Sequence, residues 1–273
     1  MEQLKFSVLI STYRNDNPVF LRTALQSLFD QTLLPNQIVL VVDGPILPEL
    51  ENVISDFKVL HPDILDIYPL EKNVGLGPAL NYGLLKCRNE LVARMDSDDI
   101  SLKHRFQLQL EYLHQHPEID VLGANVEEFS KTPGDLQRIN KSPVGSELYK
   151  YSRWRNPINH PAVIFKKSAV ITSNSYEDVP YFEDYYLWIN LLAKGYKFHN
   201  LQDVLLLFRN DIDTIGRRQG FAYIKHEISF LNKAYANSYL ELPYYLMGFA
   251  VRLPLRILPK GLLSKFYHYF LRS

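Results

Sequence analysis

The sequence predicts an α/β fold: a mostly parallel sheet flanked by helices, followed by a helical basic and aromatic tail. Two observations carry this. Short apolar runs alternate with amphipathic segments across the first hundred residues, and three of those runs end in polar residues. Residues 6–10 are a compact run of strand formers. Leu21, Ala24, Leu25 and Leu28 then fall three and four apart, as on one face of a helix. Residues 38–42 form a second buried-strand run, closed by Asp43-Gly44-Pro45. Leu50, Val53, Ile54, Phe57 and Leu60 mark a second helix, and residues 64–68 a third strand. Ala79, Leu80, Gly83, Leu84 and Cys87 mark a third helix, and residues 91–95 a fourth strand. Repeated strand–helix units favour a parallel sheet whose ligands gather at the C-terminal strand ends. Ser11-Thr12-Tyr13, Asp43-Gly44 and Asp96-Ser97-Asp98-Asp99 should therefore share one rim.

Further on, Phe106, Leu110 and Leu113 suggest a helix, 121–129 a strand, 131–143 a polar loop and 162–165 a short strand. Helices are expected over 185–192 and around Phe221, Ile224, Ile228, Leu231 and Tyr235. A main α/β domain over residues 1–235 and an amphipathic helical tail over 236–273 are expected. The formal net charge is zero, which argues against nucleic-acid binding through bulk positive charge. A single cysteine, Cys87, allows no intrachain disulfide and favours a reducing compartment. The first residues lack the succession of a signal peptide, so a cytoplasmic location is expected. The longest uncharged stretch of the tail, 242–251, is ten residues; a spanning helix needs roughly 20.

The strongest chemical signal is Arg94-Met95-Asp96-Ser97-Asp98-Asp99. Three carboxylates within four residues repel one another, and a divalent cation relieves that repulsion. An all-oxygen donor set suits Mn2+ or Mg2+. The bland alternative is a solvated turn capping the next helix. Asp43 at a strand tip could accept from a nucleobase imide, or simply make a tight turn. Asn73-Val74-Gly75-Leu76-Gly77 could bring backbone amides to a ligand, yet lacks the spacing of a dinucleotide fingerprint. Glu183-Asp184 at a helix start could cap the helix or act as a general base. His160 could meet substrate or be structural. Arg209, Arg217 and Arg218 could hold a diphosphate, because the guanidinium matches phosphate geometry.

In their order and spacing these segments resemble the family 2 glycosyltransferases of GT-A fold. Residues 8–14, 41–44, 73–77 and 93–99 carry the resemblance, with 159–162 and Glu183-Asp184-Tyr185-Tyr186-Leu187-Trp188 downstream. Within the family the chain is similar to bacterial O-antigen and exopolysaccharide enzymes, including amylovoran-type transferases. The resemblance implies that Thr12, Tyr13 and Asp43, with Arg14 and Asn73 nearby, hold the nucleotide of a UDP-sugar donor. It places Arg94 on the nucleotide or its diphosphate, Asp96 on the ribose or sugar, and Asp98, with Asp99, on the metal. Asp184 or Glu183 would deprotonate the acceptor, and Arg217-Arg218 would clamp the leaving group. Direct displacement with inversion is implied, turning an α-linked donor into a β-glycoside. The Q-x-x-R-W segment of processive synthases is missing, so one sugar is added per encounter. A glucose or galactose donor and a β-1,3 bond to an N-acetylhexosamine on a polyprenyl-diphosphate-linked glycan acceptor are the family's implication.

From Leu242 onward, aromatic residues alternate with Arg252, Arg256, Lys260, Lys265 and Arg272, without an acidic residue. That suits an element lying on an anionic inner leaflet, broken into short helices at Pro254 and Pro259. The alternative is that the tail packs on the catalytic domain. A nucleotidyltransferase would need a glycine-rich loop after the first strand, where Ser11-Thr12-Tyr13-Arg14-Asn15-Asp16 stands. An aspartyl phosphatase would carry its D-x-D at the first strand instead of the fourth. A non-catalytic nucleotide-sugar-binding scaffold is the remaining competitor.

Overall fold

The computed structural model describes residues 4–210 and 220–257. Four parallel strands form its first half: β1 (Phe6–Tyr13), β2 (Gln37–Asp43), β3 (Leu65–Pro69) and β4 (Leu91–Met95), in the order β3-β2-β1-β4. Every residue of β2 is buried, and its side chains alternate between two cores. Ile38, Leu40 and Val42 meet α1 (Pro18–Phe29), α2 (Pro48–Leu60) and α4 (Arg105–Gln115) on one face. Val39 and Val41 meet α3 (Leu76–Lys86) on the other, together with α5 (Gly145–Tyr151), α6 (Lys167–Thr172) and α7 (Glu183–Ala193). Period-2 alternation in a strand covered on both sides explains why 38–42 reads as an unbroken apolar run.

Local chemistry starts and seats the helices. Asn17 accepts from the amides of Val19 and Phe20, and Pro18 stands at the first turn of α1. In α3, a side chain at Gly83 would come 2.5 Å from Leu9 Cδ1 and 2.6 Å from Val41 Cγ2, so only glycine lets this helix lie so close to the sheet.

The sheet is mostly parallel only as far as β4. Beyond it lie β8 (Ile164–Lys166), β6 (Val121–Phe129), β9 (Phe198–Arg209) and β5 (Ile100–Ser101), with β7 (Arg138–Asn140) on the flank of β6. Of these pairings β6–β9 is parallel, and β4–β8, β6–β8, β6–β7 and β5–β9 are antiparallel. The expected α/β sheet flanked by helices is present, with a mixed second half added to the parallel first half. Three local expectations change. The 131–143 loop contains β7. The strand expected over 162–165 is a 3-10 turn at His160–Ala162 followed by β8. The 12-residue β9 was not foreseen. Its polar positions and the register shifts opposite Ala124, Asn125 and Val126 break the alternation a strand needs to be readable.

After α8 (Gly220–Ala236) comes α9 (Leu242–Ile257), which runs through Pro254 instead of breaking there. It packs back on α8 and α7: Phe182, Tyr185, Phe230 and Leu231 form a third core, against which Tyr244, Tyr245 and Phe249 rest. Buried at its centre, Glu227 of α8 pairs with Arg252 Nε at 2.7 Å and with Arg256 through two bonds of 2.7 and 3.1 Å. Burial alone would raise Glu227, but the Arg256 hydrogen bond and the two guanidinium charges bring it below its ordinary range. Among the described residues, no helix is long and apolar enough to cross a membrane.

Removing one partner of a buried ion cluster strands the others. Glu227→Ala is expected to lower the unfolding free energy by about 3–5 kcal/mol, read by urea denaturation. A change of less than about 1 kcal/mol, the usual worth of an exposed pair, would mean that the cluster does not hold α9 in place.

Candidate active site

The tips of β1, β2 and β4 do share one rim. Tyr13 lies opposite Asp43, and Ile10 opposite Met95, so Asp96 to Asp99 emerge beside Thr12 and Tyr13. Asp96, Asp98 and Asp99 each offer an oxygen, all within 4.8 Å of one another. They differ in setting: Asp99 is buried, Asp96 half-buried and Asp98 open to solvent on one side. Crowding by the surrounding protein and the charges of Asp96 and Asp16 push Asp98 up to about 7. Burial and the charges of Asp96 and Asp98 hold Asp99 well above its ordinary range.

One cation stands beside this cluster. Arg94 is 2% exposed and forms an ion pair with Asp96, while its Nε and Nη1 have no partner within the protein. Asp99 accepts the Arg209 amide at 2.8 Å through one oxygen, and its other oxygen is buried without a partner. Unpartnered buried donors and acceptors are costly, and they are rare in folded proteins without a ligand to meet them. The donor set is all oxygen, crowded and electrostatically strained, which fits a hard divalent cation such as Mn2+ or Mg2+.

Two residues of this rim escaped the sequence reading. Asp16 accepts from Thr12 Oγ1 at 2.9 Å, Tyr13 N at 3.3 Å and Ser97 Oγ at 2.7 Å, tying the tip of β1 to the acidic turn. Burial raises its carboxyl despite those bonds. Thr12 is thus engaged by Asp16, whereas Tyr13 and Arg14 stay exposed on the rim. Arg105, completely buried, donates to the Arg94 carbonyl at 2.8 Å, the Val163 carbonyl at 3.3 Å and Gln109 Oε1 at 3.1 Å. Burial and the Arg94 charge pull it down to about 9. A charged residue beside the apolar stripe of α4 was the available signal for Arg105; nothing local marked Asp16.

Asp43 holds the neighbouring loop. Its carboxylate accepts from the Val74 amide at 2.7 Å, the Gly75 amide at 3.0 Å and Asn73 Nδ2 at 3.0 Å. Gly44, at φ 82°, lets the loop approach: a Cβ there would meet Asn73 N at 2.4 Å. Arg209 is tied to the acidic turn. Its guanidinium lies 3.7 Å from the centre of the Phe20 ring and 4.4 Å from that of Phe129, donating to the carbonyls of Asp98 and Ser130. Arg217 and Arg218 lie outside the described residues.

Across the rim, Glu183 and Asp184 open α7. Asn156, also unforeseen, donates to Asp184 Oδ2 at 2.6 Å. Burial, then the Asp184 charge, raises Glu183. The Glu183 stem lies against Gly77, where a Cβ would be 3.4 Å from its Cγ. Tyr176 joins the two sides. Its hydroxyl meets His160 Nε2 at 2.9 Å, and the charges of Arg94, Asp184 and Asp96 all act on it. His160 is walled by Tyr176 and Trp188, and burial with the Arg94 charge holds it well below its ordinary range. The arrangement offers an acidic, cation-ready pocket on one side and an oriented carboxylate on the other.

Comparison with known proteins agrees with this geometry. The model of the family described as glycosyl transferase family 2 matches residues 7–179. An uncharacterized glycosyltransferase of Haemophilus influenzae is 42% identical over 99% of this chain and all of its own length. The UDP-Gal:alpha-D-GlcNAc-diphosphoundecaprenol beta-1,3-galactosyltransferase of Escherichia coli is 38% identical over 98% of this chain and 97% of its own. The amylovoran biosynthesis glycosyltransferase AmsE of Erwinia amylovora is 39% identical over 96% and 97%. Among solved structures, Staphylococcus aureus TarS in complex with UDP shares the fold, at a TM-score of 0.68 and 16% identity over 98% of this chain and 73% of that one. A family match across more than half of the chain, with relatives this similar end to end, shows that the chain belongs to glycosyl transferase family 2 and is a glycosyltransferase.

Proposed function

We propose that the enzyme transfers a single hexose, glucose or galactose, from a UDP-sugar to a hydroxyl of a polyprenyl-diphosphate-linked glycan, with inversion, in the synthesis of a bacterial surface polysaccharide. The observation that carries this reading is a strained, cation-ready carboxylate cluster linked through Tyr176, on which the charges of Arg94, Asp96 and Asp184 all act, to a carboxylate oriented by Asn156. The Escherichia coli relative, named for a beta-1,3 transfer from UDP-Gal to a GlcNAc-diphosphoundecaprenol, supports the donor, acceptor and linkage. The amylovoran relative supports the polysaccharide setting. The reaction then takes place at the inner face of the cytoplasmic membrane.

Each residue has a step in this reading. Thr12, Tyr13, Arg14 and the loop that Asp43 orders around Asn73 cradle the nucleotide, with Asp16 fixing Thr12 and the Tyr13 amide. Arg94 turns its unpartnered nitrogens to the diphosphate, and Asp96 to the ribose or sugar. Asp98, with Asp96 and Asp99, would hold Mn2+ or Mg2+, which when bound neutralises charge on the leaving diphosphate. Asp184, oriented by Asn156, takes the proton of the acceptor hydroxyl, with Glu183 beside it as the alternative base. The hydroxyl oxygen bonds to the anomeric carbon as the bond to the diphosphate oxygen breaks on the opposite side, and UDP departs. Arg217 and Arg218 are assigned to the departing diphosphate by the family resemblance alone.

The decisive assay incubates purified protein with Mn2+, a panel of UDP-sugars and a synthetic N-acetylhexosaminyl-diphosphate-lipid, with products followed by mass spectrometry. One added hexose is expected, and none in EDTA. Asp184→Asn should lower kcat by about 10²–10⁴-fold, the usual worth of a positioned base. Asp98→Ala should be at least as damaging while leaving the melting temperature unchanged or raised, because it removes one of the crowded charges. Donor binding without transfer across the panel would favour the scaffold reading, and no nucleotide binding by folded protein would overturn the proposal.

Asp16→Asn tests the link between β1 and the acidic turn. Misplacement of a bound reactant by 1 Å costs roughly 100-fold, so a fall in kcat/KM of about 10- to 100-fold is expected. It should include a rise in the KM for donor. An unchanged KM together with an unchanged kcat would reduce Asp16 to a surface turn residue.

A further inference from the structure

The outward face of α9 inverts the usual pattern of a surface helix. Leu242, Leu246, Met247, Ala250, Val251 and Pro254 share one side at helical spacing and all are exposed. Leu242, Leu246, Met247 and Val251 are each about half open to solvent, at 52, 56, 47 and 48%. The charged residues of the helix, Arg252 and Arg256, point the other way, onto buried Glu227. A helix that folds its cations inward and leaves an uninterrupted apolar stripe outside is made to be covered.

We propose that this stripe docks on an anionic lipid bilayer. Charge complementarity selects that occupant: beyond the stripe, the sequence outside the described residues carries Lys260, Lys265 and Arg272 and no acidic residue. An apolar helical face followed by cations matches a surface whose acyl layer lies beneath anionic headgroups. The inward contacts of α9 give the docking its purpose, a point that rests on the lipid-linked acceptor reading. Tyr244 lies 5.2 Å from Trp154 ring to ring and meets the Arg153 guanidinium; two residues on, Asn156 holds Asp184. Arg252 lies over Phe182, the residue before Glu183. One layer of aromatic side chains therefore separates the lipid-facing helix from the base that must meet an acceptor carried in the same bilayer.

The test sediments the full chain with vesicles of phosphatidylethanolamine and phosphatidylglycerol, or of phosphatidylcholine alone. The variant is Leu246→Glu with Met247→Glu and Val251→Glu, whose side chains face solvent and whose melting temperature should match wild type. Wild type should bind the anionic vesicles, and the triple variant about tenfold more weakly or worse. Transfer to an acceptor embedded in those vesicles should fall by a similar factor. Transfer to a short-chain, water-soluble acceptor should stay unchanged, a split that a folding defect would not give. Equal vesicle binding by variant and wild type overturns the proposal, as does equal wild-type binding to phosphatidylcholine. A wild-type dimer that the triple variant converts to monomer, without vesicle binding, assigns the face to a second copy and also overturns it. Vesicle binding through this face by a protein that transfers no sugar supports the docking while sinking the proposed reaction.

Discussion

The crowding of carboxylates at the end of β4 is the constraint around which the rest of the structure is arranged. At an effective dielectric constant of about 20, two unit charges 4.8 Å apart repel by about 3 kcal/mol. Asp96, Asp98 and Asp99 make three such pairs, and Asp16 stands close enough to add to them. Arg94 offsets part of this through its ion pair with Asp96, and the Arg209 amide offsets part through Asp99. The remainder shows as raised carboxyls at Asp98 and Asp99. A turn this unfavourable persists only where neighbouring elements over-determine it, and here three do. Asp16 holds it from β1, Arg105 holds the Arg94 carbonyl from α4, and Arg209 holds the Asp98 carbonyl from the end of β9.

The mixed half of the sheet has its purpose in this clamp. A parallel β1–β4 pair brings the acidic turn to the rim, but a strand end alone leaves it loose. β5, immediately after the turn, pairs with Leu206 and Leu207 near the end of β9, and Gln31 of the adjacent helix-end bonds to Ser101 and Leu102. The turn is therefore pinned at both ends. The β6–β9 ladder shifts register near Asn125, and beyond that irregularity the end of β9 brings Arg209 to the Asp98 carbonyl.

The sequence shows the first half of this arrangement plainly and the second half hardly at all. β1, β2 and β4 are central strands buried on both faces, so their apolar runs and polar ends stand out, and the sharing of a rim follows from parallel topology. β9 has a solvent-facing, bulged course, so its alternation fails. The site divides along a similar line. Asp96, Asp98 and Asp99 are adjacent in the chain, and their chemistry is visible without a fold. The bonds by which Asp16, Arg105 and Asn156 join separate parts of the site, to Ser97, to the Arg94 and Val163 carbonyls and to Asp184, cross long separations and leave no pattern to read. Asp43 and Arg209 show the converse. Their types were noticed, but only the structure shows that much of their bonding capacity goes to the 73–75 loop and to the acidic turn.

The two sides of the site are held by different physics. The acidic turn is polar and only partly charge-compensated, tied by hydrogen bonds to Asp16, Arg105 and Arg209. The α7 side is fixed by packing: Phe182, Tyr185 and Phe230 lie between α7, α8 and α9, with Arg252 over all three rings and Glu227 beneath it. Tyr176 and the Glu183–Gly77 contact join the two sides. A displacement of α9 would thus reach Glu183 and Asp184 through one aromatic layer, while the acidic turn, anchored on β1, α4 and β9, would stay in place. Glu183 and Asp184 could then shift without disturbing the carboxylate cluster; in the proposed reaction that would let the base follow the acceptor while the donor side stays fixed.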